Sequence, residues 1–135
     1  MTRDEIGTYL REPHIADLAT IRPDGSPHVA PVWYHYDGDK VMVVAERTAV
    51  KVRNIGNDPR VSLSIATDTE PYKYVLVTGD ATISDAGIAD LVRAMAVHYK
   101  GDTEGRRYAD KVLEDLDFCV ITVTPSKISG WLDES

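Results

Sequence analysis

Three basic residues lie close together in the segment AERTAVKVRNIGNDP, although the chain as a whole carries a formal charge of −7. Thr48 is predicted to cap a helix over residues 48–57, which leaves the first backbone N–H groups of that helix without partners. Such N–H groups, together with the helix dipole, favour a bound phosphate. The spacing therefore predicts an anion seat that Lys51 and Arg47 close, with Arg53 as a third candidate. A surface helix with snorkelling basic side chains is the alternative.

The histidines do not predict a metal site. His28 and His35 lie an odd number of residues apart in one predicted strand, so they face opposite sides of it. His98 has no second ligand at helical spacing, and a zinc site needs three or four converging ligands. Cys119, the only cysteine, lies in the apolar segment FCVITV and is predicted to be a buried strand residue.

Composition narrows the class of protein. A length of 135 residues with 43% hydrophobic content is typical of a single domain, here residues 1–135. The acidic balance argues against nucleic acids and anionic membranes as partners, because both select clustered basic residues. No apolar run approaches the roughly 20 residues that span a bilayer. We therefore expect a cytoplasmic protein.

Strand patterns dominate the chain around the basic segment. The turn RPDGS separates the strands IADLATI and PHVAPVWYHY, and DGD leads into KVMVVAE, which together predict a three-strand antiparallel meander. Two further strands follow, RVSLSIAT and KYVLVTGDATIS, and Gly79 within the second predicts a bulge or a close backbone approach. FCVITVTP is the last strand. Trp33 is expected to fill the barrel. Tyr34 and Tyr36 are expected to share a face with Val32, as a dimer-packing surface or, alternatively, as a wall of the cofactor site.

Three helices complete the prediction. Thr2 and Glu5 have capping-box spacing at the start of the chain. Asp85 is predicted to cap a helix that Gly101 ends, and a second helix follows with Tyr108, Val112 and Leu116 on one side. Six or seven antiparallel strands with so few helices predict a mainly β fold, a small barrel with flanking helices.

Two segments, DLATIRPDGSPHVAPVWYHYDGDKV and KVRNIGNDPRVSLSI, resemble the split β-barrel flavin- and deazaflavin-binding superfamily, also called pyridoxamine-5'-phosphate-oxidase-like. The second segment resembles the branch that uses the deazaflavin coenzyme F-420. This resemblance implies the FMN-binding split-barrel fold and a homodimer with the cofactor at its interface. The chain ends in ISGWLDES, without the basic segment of pyridoxamine-5'-phosphate oxidases proper, which argues against that substrate.

The resemblance also implies site residues. The cofactor ring would contact two strands, and the phosphate would lie near the helix that follows. The implied ring contacts are Ala30, Pro31, Val32, Val44 and Ala45. Lys51 is the implied phosphate contact, near the seat that Thr48 and the helix start define independently. Arg47 is the candidate for a second basic residue, at a spacing that departs from the usual one.

The implied activity is an oxidoreductase that transfers a hydride from F-420 to a small conjugated substrate. An FMN-binding flavin reductase or oxidase is one alternative, and a carrier that binds flavin or a haem-type ligand without turnover is another. Lys73 and Arg53 are candidates for a groove that holds the acidic F-420 tail. Solvent or a nearby side chain would supply the proton, so no catalytic residue is assigned. The side-chain candidates are Tyr34, His35, Tyr36, His98 and Tyr99.

Overall fold

The computed structural model describes residues 1–115 and 117–133, and the expected position of Leu116 on the second long helix lies outside them. The helices are α1 (Arg3–Leu10), α2 (Val50–Asn57), α3 (Ile88–Lys100) and α4 (Asp102–Asp115). The strands are β1 (Ala16–Ile21), β2 (Pro27–Val32), β3 (His35–Tyr36), β4 (Val41–Glu46), β5 (Arg60–Ala66), β6 (Lys73–Ser84) and β7 (Phe118–Leu132). No helix of these residues is long and apolar enough to cross a membrane.

The strands form one curled antiparallel sheet in the order β2-β1-β5-β6-β7-β4-β3, which confirms the mainly β split barrel. The predicted three-strand meander is wrong in one respect. The segment PHVAPVWYHY breaks at Trp33 and Tyr34, so that β2 pairs with β1 and β3 pairs with β4. One continuous segment thus supplies both edges of the sheet, and the covalent chain joins those edges.

We call the break at Trp33 and Tyr34 the seam. The hydroxyl of Tyr99 forms hydrogen bonds with backbone groups there. It accepts a hydrogen bond from the Tyr34 N–H at 3.1 Å and lies 2.6 Å from the carbonyl oxygen of His14 and 3.3 Å from that of Tyr34. Buried backbone groups need such partners where a strand ladder stops. Because Tyr99 belongs to α3, these bonds also fix that helix to the seam.

The barrel interior is filled from alternate strand positions. Val32 and Tyr34 face inward and Tyr36 packs against the same cluster, so the three share a face as expected, but that face is the core and not the surface that was predicted. The predicted irregularity at Gly79 is confirmed, because the register between β6 and β7 shifts between Thr78 and Gly79. A Cβ atom at Gly79 would collide with the Thr124 carbonyl oxygen, so the two strands approach there closely enough to require glycine.

Helices α3 and α4 form a hairpin that packs outside the barrel. A Cβ atom on Gly105 would lie 2.5 Å from the Ala96 carbonyl oxygen, so glycine permits the close helix crossing. Gly101, at φ +88°, turns the chain between them. The prediction that Asp85 caps α3 is wrong, because Gly87 occupies the cap position. Asp85 has a different partner, described below.

Candidate functional site

An apolar cleft of about 250 Å³ lies between the outer face of the sheet and the α3–α4 hairpin. Strands β2 and β4 form one side of it and the two helices form the other. Its lining consists mostly of aliphatic and aromatic side chains with a single cation: Pro31, Val32, Trp33, Val44, Lys51, Val92, Met95, Tyr108, Val112 and Phe118. Four of the eight residues predicted for the site therefore meet in one place.

The alternation of the strands explains which predicted ring contacts reach this cleft. On β4, Val44 faces outward and lines it, whereas Ala45 is 4% exposed and belongs to the barrel core. On β2, Pro31 faces outward, whereas Ala30 faces the same side as the buried Val32. Ala30 and Ala45 are not among the residues that line the cleft, whereas Val32, which also packs in the barrel core, lines it at the end of β2.

The start of α2 differs from the prediction. Ala49 is the N-cap, in extended conformation, and its N–H donates to Glu46, so the assignment of Thr48 as the cap is wrong. The turn from Glu46 to Ala49 delays the helix by one residue and leaves the Thr48 side chain exposed. In the part of the chain that is described, the N–H groups of Val50 and Lys51 have no acceptor. A helix start with open donors is nevertheless present, beside the cleft.

Arg47 is held by carboxylates instead of being open to an anion. Its guanidinium contacts Asp117 at 3.1 Å and Asp85 at 2.6 Å, and it donates to the Phe118 carbonyl oxygen at 3.0 Å. Hydrogen bonds from Asp117 and then Asp85 raise the pKa of Arg47 above its usual range. The expected phosphate contact from Arg47 is therefore unsupported, because two acids already neutralise it and it does not line the cleft.

Lys51 has the opposite environment. It is half-buried, lines the apolar cleft, and has no ion pair with any residue in the described ranges. An uncompensated ammonium beside open backbone donors is a suitable seat for a phosphate or carboxylate. Arg53 is exposed and is not among the lining residues. Lys73 lines a separate depression with Asp4, Glu5 and Glu12, away from this cleft.

Trp33 does not fill the barrel, contrary to expectation. Its ring stacks on Tyr99 with centroids 4.7 Å apart and planes 3° apart, and lies 5.5 Å from the ring of Tyr108. It packs in a second apolar cluster with Val92 and Ala96 on α3. Period-two alternation placed Trp33 opposite Val32, but the sequence did not reveal that a helical hairpin covers that outer face.

None of the five proposed proton donors is among the lining residues of the cleft. Burial raises the pKa of Tyr34, whose hydroxyl donates to the Glu12 carbonyl oxygen at 3.4 Å. Burial likewise raises the pKa of Tyr99, whose hydroxyl is committed to the seam. His35 and His98 are exposed. None of these five side chains is therefore placed to donate a proton within the cleft.

Redox and metal chemistry of the protein's own side chains have no support in the structure. The described residues contain no group of three or more His, Cys, Asp and Glu side chains suited to a metal ion. Cys119 is fully buried on β7, as predicted, and burial raises the pKa of its thiol. A buried neutral thiol is a poor nucleophile.

A flavin or deazaflavin fits the residues that are present. The apolar lining suits a planar ring, and Lys51 with the open N–H groups suits a phosphate. Sites for whole cofactors typically enclose about 300 to 1,000 Å³. The cleft of about 250 Å³ is smaller than that, so only part of such a molecule lies inside it.

Comparison with known proteins gives concordant results. A family model described as pyridoxamine 5'-phosphate oxidase matches residues 2–132. An F-420H(2)-dependent biliverdin reductase from Mycobacterium tuberculosis (strain CDC 1551 / Oshkosh) is 27% identical over 96 residues, covering 71% of this chain and 68% of the relative.

Two solved structures share the architecture. One, described as an F-420 reductase, is 26% identical with a TM-score of 0.74, covering 90% of this chain and 94% of that one. The other, a conserved hypothetical protein from Mycobacterium tuberculosis, is 25% identical with a TM-score of 0.79, covering 98% of this chain and 85% of that one.

Proposed function

The chain belongs to the pyridoxamine 5'-phosphate oxidase family, and on that premise we propose that it is an oxidoreductase that binds coenzyme F-420 and reduces a small conjugated substrate. The relatives named for F-420 support a flavin- or deazaflavin-dependent reductase. One observation carries the proposal, namely the unpaired Lys51 beside open backbone donors in an apolar cleft.

Different residues of the cleft bind the ring and the phosphate of the cofactor. Pro31 and Val44 offer a flat apolar surface to a planar ring, and Lys51 with the start of α2 holds the phosphate. When bound in its reduced form, such a cofactor supplies a hydride, so the protein has to align the two rings and exclude water. The hairpin side chains Val92, Met95 and Val112 shield the cleft from solvent on its helix side.

We further propose a homodimer that places the cofactor between two chains. The cleft of one chain is smaller than a typical site for a whole cofactor, and a second chain would cover the part of the molecule that extends outside it. Val29 on the edge strand β2 is 60% exposed beside the outward-facing Pro31, which makes this edge the candidate for that contact.

Equilibrium titrations of the purified protein with F-420 and with FMN, followed by fluorescence at several salt concentrations, test the cofactor. We expect F-420 to bind more tightly, with an affinity that falls as salt rises. Lys51→Met should weaken binding roughly tenfold to hundredfold, because a hydrogen bond to a charged group contributes about 1.5–3 kcal/mol. The variant should also reduce the salt dependence.

Lys127→Met is the matched control, since Lys127 is an exposed lysine on β7 that does not line the cleft. Tighter binding of FMN would assign the protein to the flavin-dependent members. Binding of neither cofactor, or equal losses in the two lysine variants, would refute the proposed site. A bound reduced cofactor that no acceptor reoxidises would indicate a carrier instead of a reductase.

A further inference from the structure

At the aromatic side of the cleft, hydrogen bonds and ring stacking hold the side chains in addition to apolar packing. Tyr99 supports the Trp33 ring in a nearly parallel stack, and its hydroxyl is bonded to the seam. The plane of Trp33 is therefore fixed from behind. Tyr108 lies on α4, lines the cleft beside Trp33, and is 41% exposed. A large aromatic ring that served only as core would be covered, so an accessible π surface remains at this end of the cleft.

A cation accompanies these rings. The Nζ atom of Lys100, at the end of α3, lies 4.8 Å from the ring centroid of Tyr108 and 6.0 Å from that of Trp33. Both distances are within the range of cation–π attraction. The ammonium is thereby held over the two aromatic residues that line the cleft.

The acids next to Lys100 do not neutralise it. Asp102 pairs with Arg106 at 2.8 Å, and Glu104 pairs with Arg107 at 3.6 Å. Lys100 itself has no ion pair within the residues that the structure describes. In a chain with a net charge of −7, an exposed lysine that leaves nearby acids to other partners is available to a ligand.

We propose that Trp33, Tyr108 and Lys100 form the subsite for the electron acceptor, and that this acceptor is a planar conjugated molecule carrying a carboxylate. The Trp33 ring stacks on its π system, the Tyr108 ring, tilted by 51° to Trp33, meets its edge, and the ammonium of Lys100 pairs with its carboxylate. The assignment rests on the proposed function, in which Lys51 holds the cofactor phosphate. Lys51 belongs to the lining of the cleft, whereas Lys100 is not a lining residue and stands over the lining residues Trp33 and Tyr108.

The test uses a matched pair of non-reacting probes, 2-naphthoate and its neutral amide 2-naphthamide. The chain has two tryptophans, so the NMR spectrum contains two indole N–H signals. The signal of Trp33 reports on the cleft, and the signal of Trp131 serves as an internal reference. Trp131 stacks on Tyr74 away from the cleft. We expect naphthoate to shift the Trp33 signal and leave the Trp131 signal in place, with assignment confirmed by Trp33→Phe.

Naphthoate should bind about threefold to fivefold more tightly than naphthamide, which corresponds to an exposed ion pair. Lys100→Met should remove this preference, whereas Lys111→Met, the same change at an exposed lysine on α4, should retain it. Tyr108→Leu should weaken both probes equally. Equal binding of the two probes to the wild-type protein, or equal effects of the two lysine variants, would overturn the assignment.

A second titration separates this inference from the proposed function. Saturating F-420 should leave naphthoate bound, because the acceptor subsite and the cofactor seat are different. Displacement of naphthoate by F-420 would assign the aromatic pair to the cofactor and refute the acceptor subsite. Failure of F-420 and FMN to bind at all would refute the proposed function, and with it the acceptor role. The carboxylate preference measured without cofactor would still show whether Lys100 binds a carboxylate.

Discussion

At the scale of single residues, one buried polar pair positions the cation of the site. Asn54 and Thr20 are 2% and 1% exposed, and the Asn54 Nδ2 atom donates to the Thr20 Oγ1 atom at 3.0 Å. The bond joins α2 to β1, and Asn54 lies one helical turn after Lys51. Fixing this turn of α2 therefore fixes the direction from which Lys51 enters the cleft.

Thr20→Val should lower the free energy of unfolding by about 1–3 kcal/mol, because the Asn54 amide is then buried without its acceptor. Urea denaturation followed by circular dichroism measures the change. The double variant Thr20→Val with Asn54→Leu supplies the control, since removing both partners eliminates the unpaired group. A double variant whose loss equals the sum of the two single losses would show that the hydrogen bond does not couple these residues.

At the scale of elements, Arg47 acts as a clasp on the helical hairpin. It follows β4, while its partners Asp85 and Asp117 stand before α3 and after α4, so one guanidinium ties both ends of the hairpin to the sheet. Phe118, which follows Asp117, lines the cleft, and its carbonyl oxygen accepts a hydrogen bond from the Arg47 guanidinium. Isolated exposed ion pairs contribute little to stability, but a shared donor with several fixed acceptors restricts where the hairpin can lie.

Arg47→Met should therefore increase amide hydrogen exchange in α3 and at the start of β7, while the salt dependence conferred by Lys51 persists. Hydrogen-exchange mass spectrometry detects the change as a local loss of protection. Arg60→Met is the control, because Arg60 forms an exposed ion pair with its near neighbour Asp58 and joins no separate elements. If instead Arg47→Met abolished the salt dependence of cofactor binding, Arg47 would be a direct phosphate contact.

The elements also show where prediction from sequence succeeds and where it fails. Alternating patterns predicted the strands, and Gly79 predicted the bulge, because both depend on neighbouring positions. The helix start at Ala49 instead of Thr48 depends on a local turn next to the Arg47 clasp. The location of Trp33 depends on which face of the sheet the hairpin covers. The first of these two features is set by a local turn and the second by a contact distant in sequence, and hydrophobic periodicity carries no signal for either.

At the scale of the whole molecule, assembly is the remaining step in the proposed function. Pro27 and Pro31 on β2 lack N–H groups, which discourages pairing with a further strand. A dimer contact at this edge is thus expected to use side chains, above all the exposed Val29.

Sedimentation equilibrium should give twice the 14.9 kDa mass of the chain. Val29→Glu should shift the protein towards the monomer, because a charge replaces apolar surface at the contact, and should weaken F-420 binding in parallel. Ala94→Glu, at an exposed position on α3, is the control and should change neither. A monomer that binds F-420 with full affinity would contradict the shared site.

At the seam, the two edges of the sheet can move apart. Everywhere else, moving neighbouring strands apart means breaking a ladder of hydrogen bonds, but no such ladder joins the edges β2 and β3, which are linked by the chain through Trp33 and Tyr34 and held by the hydrogen bonds of Tyr99. Pro31, Val32 and Trp33, which line the cleft, lie directly at that join. A change in the distance between these two edges therefore moves three residues of the cleft lining without breaking a strand ladder, whereas the Arg47 clasp sets how the hairpin lies against them.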